Sequence, residues 1–226
     1  MNIVVFTGAG ISKESGLNTF RDTGGIWEKY DPNHYATKSG WKKDREGLLD
    51  FYNMLKGEFS SVKPNAAHIM LADLEKYHNV TIITQNVDNL HEKAGSSNVL
   101  HLHGDMSKSQ STLNPSITYD APGDIKIGDK CEKGSQLRHN IVLFGEYPNN
   151  IEESTEALKE ADLLLIIGTS LSINYTISLL SSINEAKTHV IYIDPYPSKD
   201  LEFTEVEYIK DIATSGLASI FKGLIA

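Results

Sequence analysis

Three polar clusters in this 226-residue chain carry residue types that can do chemistry. The densest is TQNVDNLHEKAG at 84–95, where Gln85, Asn86 and Asp88 follow directly on the apolar run NVTII. Open α/β sheets bind ligands at the carboxyl ends of their strands, and amides with a carboxylate there can read a carboxamide and ribose hydroxyls. A lone Asn or Asp in that position is usually a turn residue or a helix cap; a crowd of them is harder to dismiss. The second cluster, VLHLHGD at 99–105, holds His101 and His103. Imidazole is available as a general base near neutral pH, but alternation along a strand puts both rings on one face, and spacing does not choose between them. The third, VVFTGAGISKESGLNTFRD at 4–22, sets Gly8 and Gly10 in a tight turn after an apolar run. Such a turn lets backbone N–H groups approach a pyrophosphate at a helix start.

That turn does not complete the fingerprint of a hydride-transferring enzyme. The next glycine, Gly16, comes six residues after Gly10 rather than three, and no second strand ends in an acidic residue about 20 positions on.

The elements that must position these clusters are short β-branched runs alternating with helical stretches. NIVVFT, NVTIIT, NVLHLH, NIVLFG, DLLLIIGT and HVIYID read as strands, mostly buried on both faces. Helices are expected over 64–77, 172–186 and 215–224. The alternation predicts an α/β fold, a Rossmann-like parallel sheet with helices on both faces. Residues 1–21, 62–104 and 140–226 are assigned to it. Residues 22–61, rich in Trp and Tyr, read as loops and short helices over a pocket. Residues 105–139, with several Pro and Gly and little periodicity, read as a small inserted module. The whole, 1–226, is expected to form one catalytic domain.

Composition narrows the setting. A net charge of −9 argues against a nucleic-acid backbone as partner and suits cationic, lysine-rich protein segments. No run of eighteen apolar residues is available to span a membrane. Met1 leads straight into NIVVF without a basic leader, and the single cysteine, Cys131, cannot form an internal disulfide. A cytoplasmic monomer is expected.

Taken together, GAGIS, SG, TFRD, TQNVDNLH, HLHG, IVLFGE and GTSL resemble the sirtuins, the NAD-dependent protein lysine deacylases, in order and separation over nearly the whole chain. ESGLNTFRD, HYAT, FYN, PNAAH and DNLHEKAG look closest to the bacterial, desuccinylase-like branch. The resemblance implies that NAD is consumed as a substrate. Gly8, Ala9, Gly10 and Arg21 would surround its pyrophosphate, helped by Gly168, Thr169 and Ser170. Ile11, Asn86 and Asp88 would hold the nicotinamide carboxamide, Phe20 would shield the reacting face, and Gln85 would contact the nicotinamide ribose. Asp194 and Ile212 would lie at the adenosine, with Asp194 where the family usually has asparagine. His103, directly before Gly104, matches the catalytic histidine, acting with Gln85, Asn86 and Asp88. An acyl-lysine peptide would add as a strand between VLFGE and LSINY, meeting Val142, Phe144, Gly145, Glu146 and Leu171. Ala36, Tyr52 and Leu55 would line the acyl pocket. An ADP-ribosyltransferase or NAD glycohydrolase on the same scaffold is the alternative; it would not need His103.

Two departures from that pattern carry information. The family commonly binds a structural zinc through two Cys pairs in the insertion, where this chain has only Cys131. A tetrahedral site needs four ligands, so no metal is expected, and the insertion must hold itself together by packing and turns. Desuccinylase-like members carry Tyr-x-x-Arg where this chain has Tyr52 and Leu55. A carboxylate left unpaired in such a pocket costs on the order of 3–5 kcal/mol, so neutral acyl groups are expected to be preferred. Lys56, four residues from Tyr52, could reach the same face.

Overall fold

The computed structural model describes residues 1–19 and 24–226. Its strands are β1 (Asn2–Thr7), β2 (Asn79–Thr84), β3 (Val99–His101), β4 (Gly104–Ser111), β5 (Thr118–Asp120), β6 (Leu137–Ile141), β7 (Leu163–Ile167), β8 (His189–Ile193) and β9 (Glu207–Ile209). Its helices are α1 (Ile26–Lys29), α2 (Pro32–Tyr35), α3 (Lys38–Lys43), α4 (Arg45–Ser61), α5 (Ala66–Leu74), α6 (Leu90–Ala94), α7 (Ile151–Lys159), α8 (Asn174–Leu180) and α9 (Ala213–Leu224). A short 3-10 helix, Ala9–Ser15, follows β1.

Six strands form a wholly parallel sheet in the order β3-β2-β1-β7-β8-β9. Alternation in β1 sends Ile3 and Val5 to one face, against Leu71 and Leu74 of α5 and Leu217 of α9. Val4 and Phe6 go to the other, against Leu158 of α7 and Leu179 and Leu180 of α8. Both faces are covered, which is why these strands read as unbroken apolar runs. Strand order reverses between β1 and β7, and the crevice of the sheet opens at that switch point.

The run at 140–145 does not join this sheet. β6 pairs antiparallel with β4, and β5 completes a second sheet of order β5-β4-β6. β6 straddles the expected boundary at 139/140. The change of sheet occurs at Gly104, whose φ of 94° and close approach to the Asn140 carbonyl leave no room for a Cβ.

The described part of residues 22–61 is more regular than expected. It includes α4, 17 residues long and capped by the Asp44 carboxylate accepting from Gly47 N. Leu48, Phe51, Tyr52, Leu55 and Phe59 recur at helical spacing and bury against Leu17, Val87, Leu90, Met106, Ile141 and Leu143. The same helix clamps the insertion. The Asn53 amide exchanges two hydrogen bonds of 2.9 Å with the Ile125 backbone. Lys56 Nζ donates to the carbonyls of Ala121 and Gly123, and Leu49 packs on Ala121 and Ile125.

Below β1 and β2 two histidines are buried edge to face, their centroids 4.9 Å apart. His91 Nε2 meets Thr7 Oγ1 at 3.1 Å, and His68 Nδ1 meets Asn65 Oδ1 at 3.1 Å. Burial pulls His68 down to about 4 from 6.5 and His91 well below 6.5, the latter also opposed by His68 and His101. The unfolded chain therefore binds protons below 6.5 that the folded chain refuses, so this stability is full above 6.5 and is lost as pH falls through about 4. Urea denaturation over that window is expected to show a steep loss, on the order of 3 kcal/mol from His68 alone, and a His68→Gln variant a shallower one.

Candidate active site

The turns that follow β1 and β7 meet backbone to backbone at the switch point. Gly8 N donates to Ile167 O at 3.1 Å and Gly10 N to Gly168 O at 2.8 Å. A Cβ on Gly8 would lie 2.6 Å from Thr169 Cβ, and one on Gly10 2.7 Å from Gly168 Cα. Only glycine lets the two turns touch. Gly16, the third glycine of the motif, caps the 3-10 helix in the left-handed region at φ 95°.

Above these turns lies a cleft of about 1250 Å³. Gly8, Ala9, Gly10, Gln85, Asn86, His103, Gly168, Thr169, Ser170, Asp194 and Ile212 line it on the sheet side. Ala36, Tyr52, Leu55, Val142, Phe144, Gly145 and Glu146 line it on the other. Ile11, Asp88 and Leu171 are buried just behind the wall, each at most 6% exposed. Phe20 and Arg21 lie outside the described residues.

The two histidines separate cleanly. His103 Nδ1 lies 2.8 Å from the Gln85 carbonyl, which can only accept, so the proton sits on Nδ1 and Nε2 keeps its lone pair. That lone pair accepts from the Tyr175 hydroxyl at 2.6 Å. His101 is held between the Asn86 carbonyl at 2.9 Å and the Glu92 carboxylate at 2.7 Å, two acceptors. Burial pulls its pKa down, but the Glu92 bond and charge, the Asn86 carbonyl and Asp105 outweigh that, and the net shift is upward. His101 is thus a buried cation-forming brace for the 84–88 turn. His103 is the ring with a basic nitrogen in the cleft.

Asn86 and Asp88 are tied to the glycine turn through Ser12. Asn86 Nδ2 donates to Gly8 O at 3.1 Å and to Ser12 Oγ at 3.2 Å, and Ser12 Oγ donates to Asp88 Oδ2 at 3.0 Å. Burial raises the Asp88 pKa, opposed by the Leu90 N–H, the Ser12 hydroxyl and His101. Across the cleft, Thr169 Oγ1 donates to Gln85 Oε1 at 2.7 Å. The donors and acceptors thus converge on one end of a backbone-walled groove, an arrangement that fits a dinucleotide with its pyrophosphate over the turns.

The sequence matches the Sir2 family over residues 8–175. This chain belongs to the Sir2 family. It is 42% identical over 224 residues to an NAD-dependent protein deacylase of Helicobacter pylori, covering 99% of this chain and 95% of that one. It is equally identical, over 230 residues, to one of Bacteroides thetaiotaomicron, covering 99% and 98%. A solved Sir2 homologue in complex with ADP-ribose superposes with a TM-score of 0.89 at 31% identity, covering 98% of this chain and 91% of that one. A Sir2 homologue bound to NAD gives 0.87 at 31% identity, covering 98% and 88%.

The end of the cleft lined by Tyr52 and Leu55 is apolar. Tyr52 is 8% exposed and Leu55 1%, and the Tyr52 hydroxyl donates to the Tyr35 carbonyl at 2.9 Å. Lys56 does not share their cleft; its ammonium is spent on the Ala121 and Gly123 carbonyls of the insertion. Glu146 grips Arg138 through both oxygens at 2.8 Å and accepts from Leu143 N at 2.9 Å, shaping the 143–146 turn. Among the described residues, no group of three His, Cys, Asp or Glu side chains is set to hold a metal ion.

Two residues of the site carry little signal in the sequence. Ser12 sits inside GAGIS and could have been suspected; Tyr175, 72 positions from His103, carried no local signal. Ser12→Ala strips a shared partner from buried Asn86 and Asp88. It is expected to cost about 1–3 kcal/mol, read as a lowered denaturation midpoint in the NAD-free protein.

Proposed function

We propose that this Sir2 protein is an NAD-dependent protein lysine deacylase that prefers neutral acyl groups. One observation carries the reading: a histidine whose tautomer is fixed by the Gln85 carbonyl shares one cleft with the glycine-walled groove and with Asn86, which Ser12 ties to the buried Asp88. A nicotinamide-binding protein without chemistry has no use for a base held in that way.

NAD is a substrate here. The close-set backbone of the turns at Gly8–Gly10 and Gly168–Ser170 receives its pyrophosphate, and Asp194 and Ile212 border the adenosine. Asn86 and Asp88 hold the nicotinamide carboxamide, and their shared bond to Ser12 keeps them from rotating away. The acyl-lysine extends beside 142–146, its acyl group between Ala36, Tyr52 and Leu55. The acyl oxygen attacks the ribose carbon bearing nicotinamide, and nicotinamide leaves. His103 then takes a proton from a ribose hydroxyl, which attacks the resulting imidate carbon. Water completes release of lysine and an acyl-ADP-ribose. The sign of the chain's charge suits a lysine-rich protein partner.

The acyl preference rests on Leu55 and Lys56. A succinyl or malonyl carboxylate would meet the buried Leu55 side chain, and the nearest lysine in sequence is already committed to the insertion.

The test is product mass spectrometry with NAD and lysine peptides bearing acetyl, butyryl, crotonyl and succinyl groups. Matching acyl-ADP-ribose is expected from the neutral peptides and little from succinyl. ADP-ribose formed without peptide, every acyl group remaining intact, would make the protein an NAD-cleaving enzyme instead. His103→Ala is expected to lower deacylation by roughly 10²–10⁴-fold; undiminished deacylation would remove the base assignment. Leu55→Arg should raise desuccinylation by roughly tenfold or more, given the size of an unpaired charge, and no gain would sink the pocket argument.

A further inference from the structure

The base proposed above is not bare. An imidazole nitrogen has one lone pair, and on His103 Nε2 that pair already accepts the Tyr175 hydroxyl at 2.6 Å. A ribose hydroxyl and the phenol cannot both donate to it. Either the phenol leaves, or the proton travels through it.

The surroundings of Tyr175 favour the second course. The residue sits in the first turn of α8, and its ring packs on the apolar cluster that holds Leu171, Leu179 and Leu180. It meets the His103 ring edge to face, centroids 5.9 Å apart at 83°. Its neighbour on that helix, Thr176, is fully buried and bonded to Ile173 O at 2.7 Å. Swinging the phenol off His103 would uncover this packing. A phenol oxygen can accept one hydrogen bond while donating another, and Tyr175 also borders the cleft. It can therefore bridge a substrate hydroxyl and His103 without moving.

We propose that Tyr175 relays the proton between the ribose hydroxyl and His103. The ribose O–H bond breaks toward the phenol oxygen as the phenol O–H proton passes to His103 Nε2. The ribose oxygen forms its bond to the imidate carbon as the C=N π pair moves onto the lysine nitrogen. The phenol ends neutral, the imidazole ends as imidazolium, and no oxidant or further reactant is needed. On collapse of the adduct the same path returns the proton to the departing lysine nitrogen. This inference rests on the deacylase reading and deepens its base step.

Tyr175→Phe keeps the ring and removes the relay. Exchange of labelled nicotinamide into NAD requires acyl-oxygen attack but no base. The Phe variant is expected to lose roughly 10–100-fold in acyl-ADP-ribose formation while exchange stays within about twofold. In the NAD-free protein, the His103 ring followed by NMR should titrate at higher pH in the variant, because the lost hydrogen bond favoured neutral Nε2. Turnover equal to or faster than wild type would overturn the relay and make the phenol a plug on the base. Exchange and deacylation falling together would overturn it in favour of a packing role, and an unchanged His103 titration would remove the contact itself. Wild-type protein making no acyl-ADP-ribose would overturn the deacylase reading and the relay with it. Wild-type turnover alongside an undiminished variant overturns the relay alone.

Discussion

Everything at this site depends on two turns touching without side chains between them. The loops after β1 and β7 are neighbours because the two strands pair, and the reversal of strand order there would otherwise leave them parted. Gly8, Gly10 and Gly168 close that gap, with Gly168 at φ 62° and bonded through its N–H to Ile193 O at 3.0 Å. Closure has two consequences. It turns peptide groups into the floor of a groove suited to an anion. It also brings Ser12 within reach of Asn86 and Asp88, so the β1 turn and the β2 turn become one hydrogen-bonded body. A methyl group on either early glycine would separate both.

The β2 turn shows how a backbone can give two histidines opposite characters. The carbonyls of consecutive residues, Gln85 and Asn86, each take an Nδ1–H, from His103 and His101 respectively. The difference lies at the far nitrogen. Glu92 beside His101 Nε2 favours the charged ring, whereas the Tyr175 phenol beside His103 Nε2 favours the neutral one. A cation-favouring His101 close to Asp88 also opposes the upward push of burial on that carboxyl. The two rings thus differ by their second partners, which come from α6 and α8.

That division explains what could be read in advance. β1, β2, β7 and β8 were legible because burial on both faces leaves unbroken apolar runs. The glycine turns, Gln85, Asn86, Asp88 and the histidine pair were legible because they end such runs. The second sheet was not. Its buried positions include Ser109, Gln110, Ser111, Arg138, His139 and Asn140, and a core built from polar groups leaves no hydrophobic period to find. Arg138 is satisfied by the Ile141 carbonyl and Glu146, partners visible only once the strands are paired. α4 was obscured because Gly47 and Gly57 interrupt a helical spacing that Leu48, Phe51, Tyr52, Leu55 and Phe59 otherwise keep. Tyr175 was beyond reach, since its meaning lies in a contact across the sheet.

α4 also gives the insertion a different kind of anchor from the one a metal would provide. Four ligands around an ion staple a module to itself; Asn53 and Lys56 staple it to the helix that lines the cleft. Burying an ammonium is costly, and desolvation lowers the Lys56 pKa even with Asp124 raising it. The carbonyls of Ala121 and Gly123 offset that cost only while the insertion is in place. Tyr52 and Leu55 lie within one helical turn of Lys56. Release of the insertion would strip the Lys56 ammonium of both carbonyls and return it to water, and would uncover the Leu49 and Asn53 side of α4 with it. Tyr52 and Leu55, which line one end of the cleft, lie on that same helix, so the insertion and that wall of the cleft are coupled through α4.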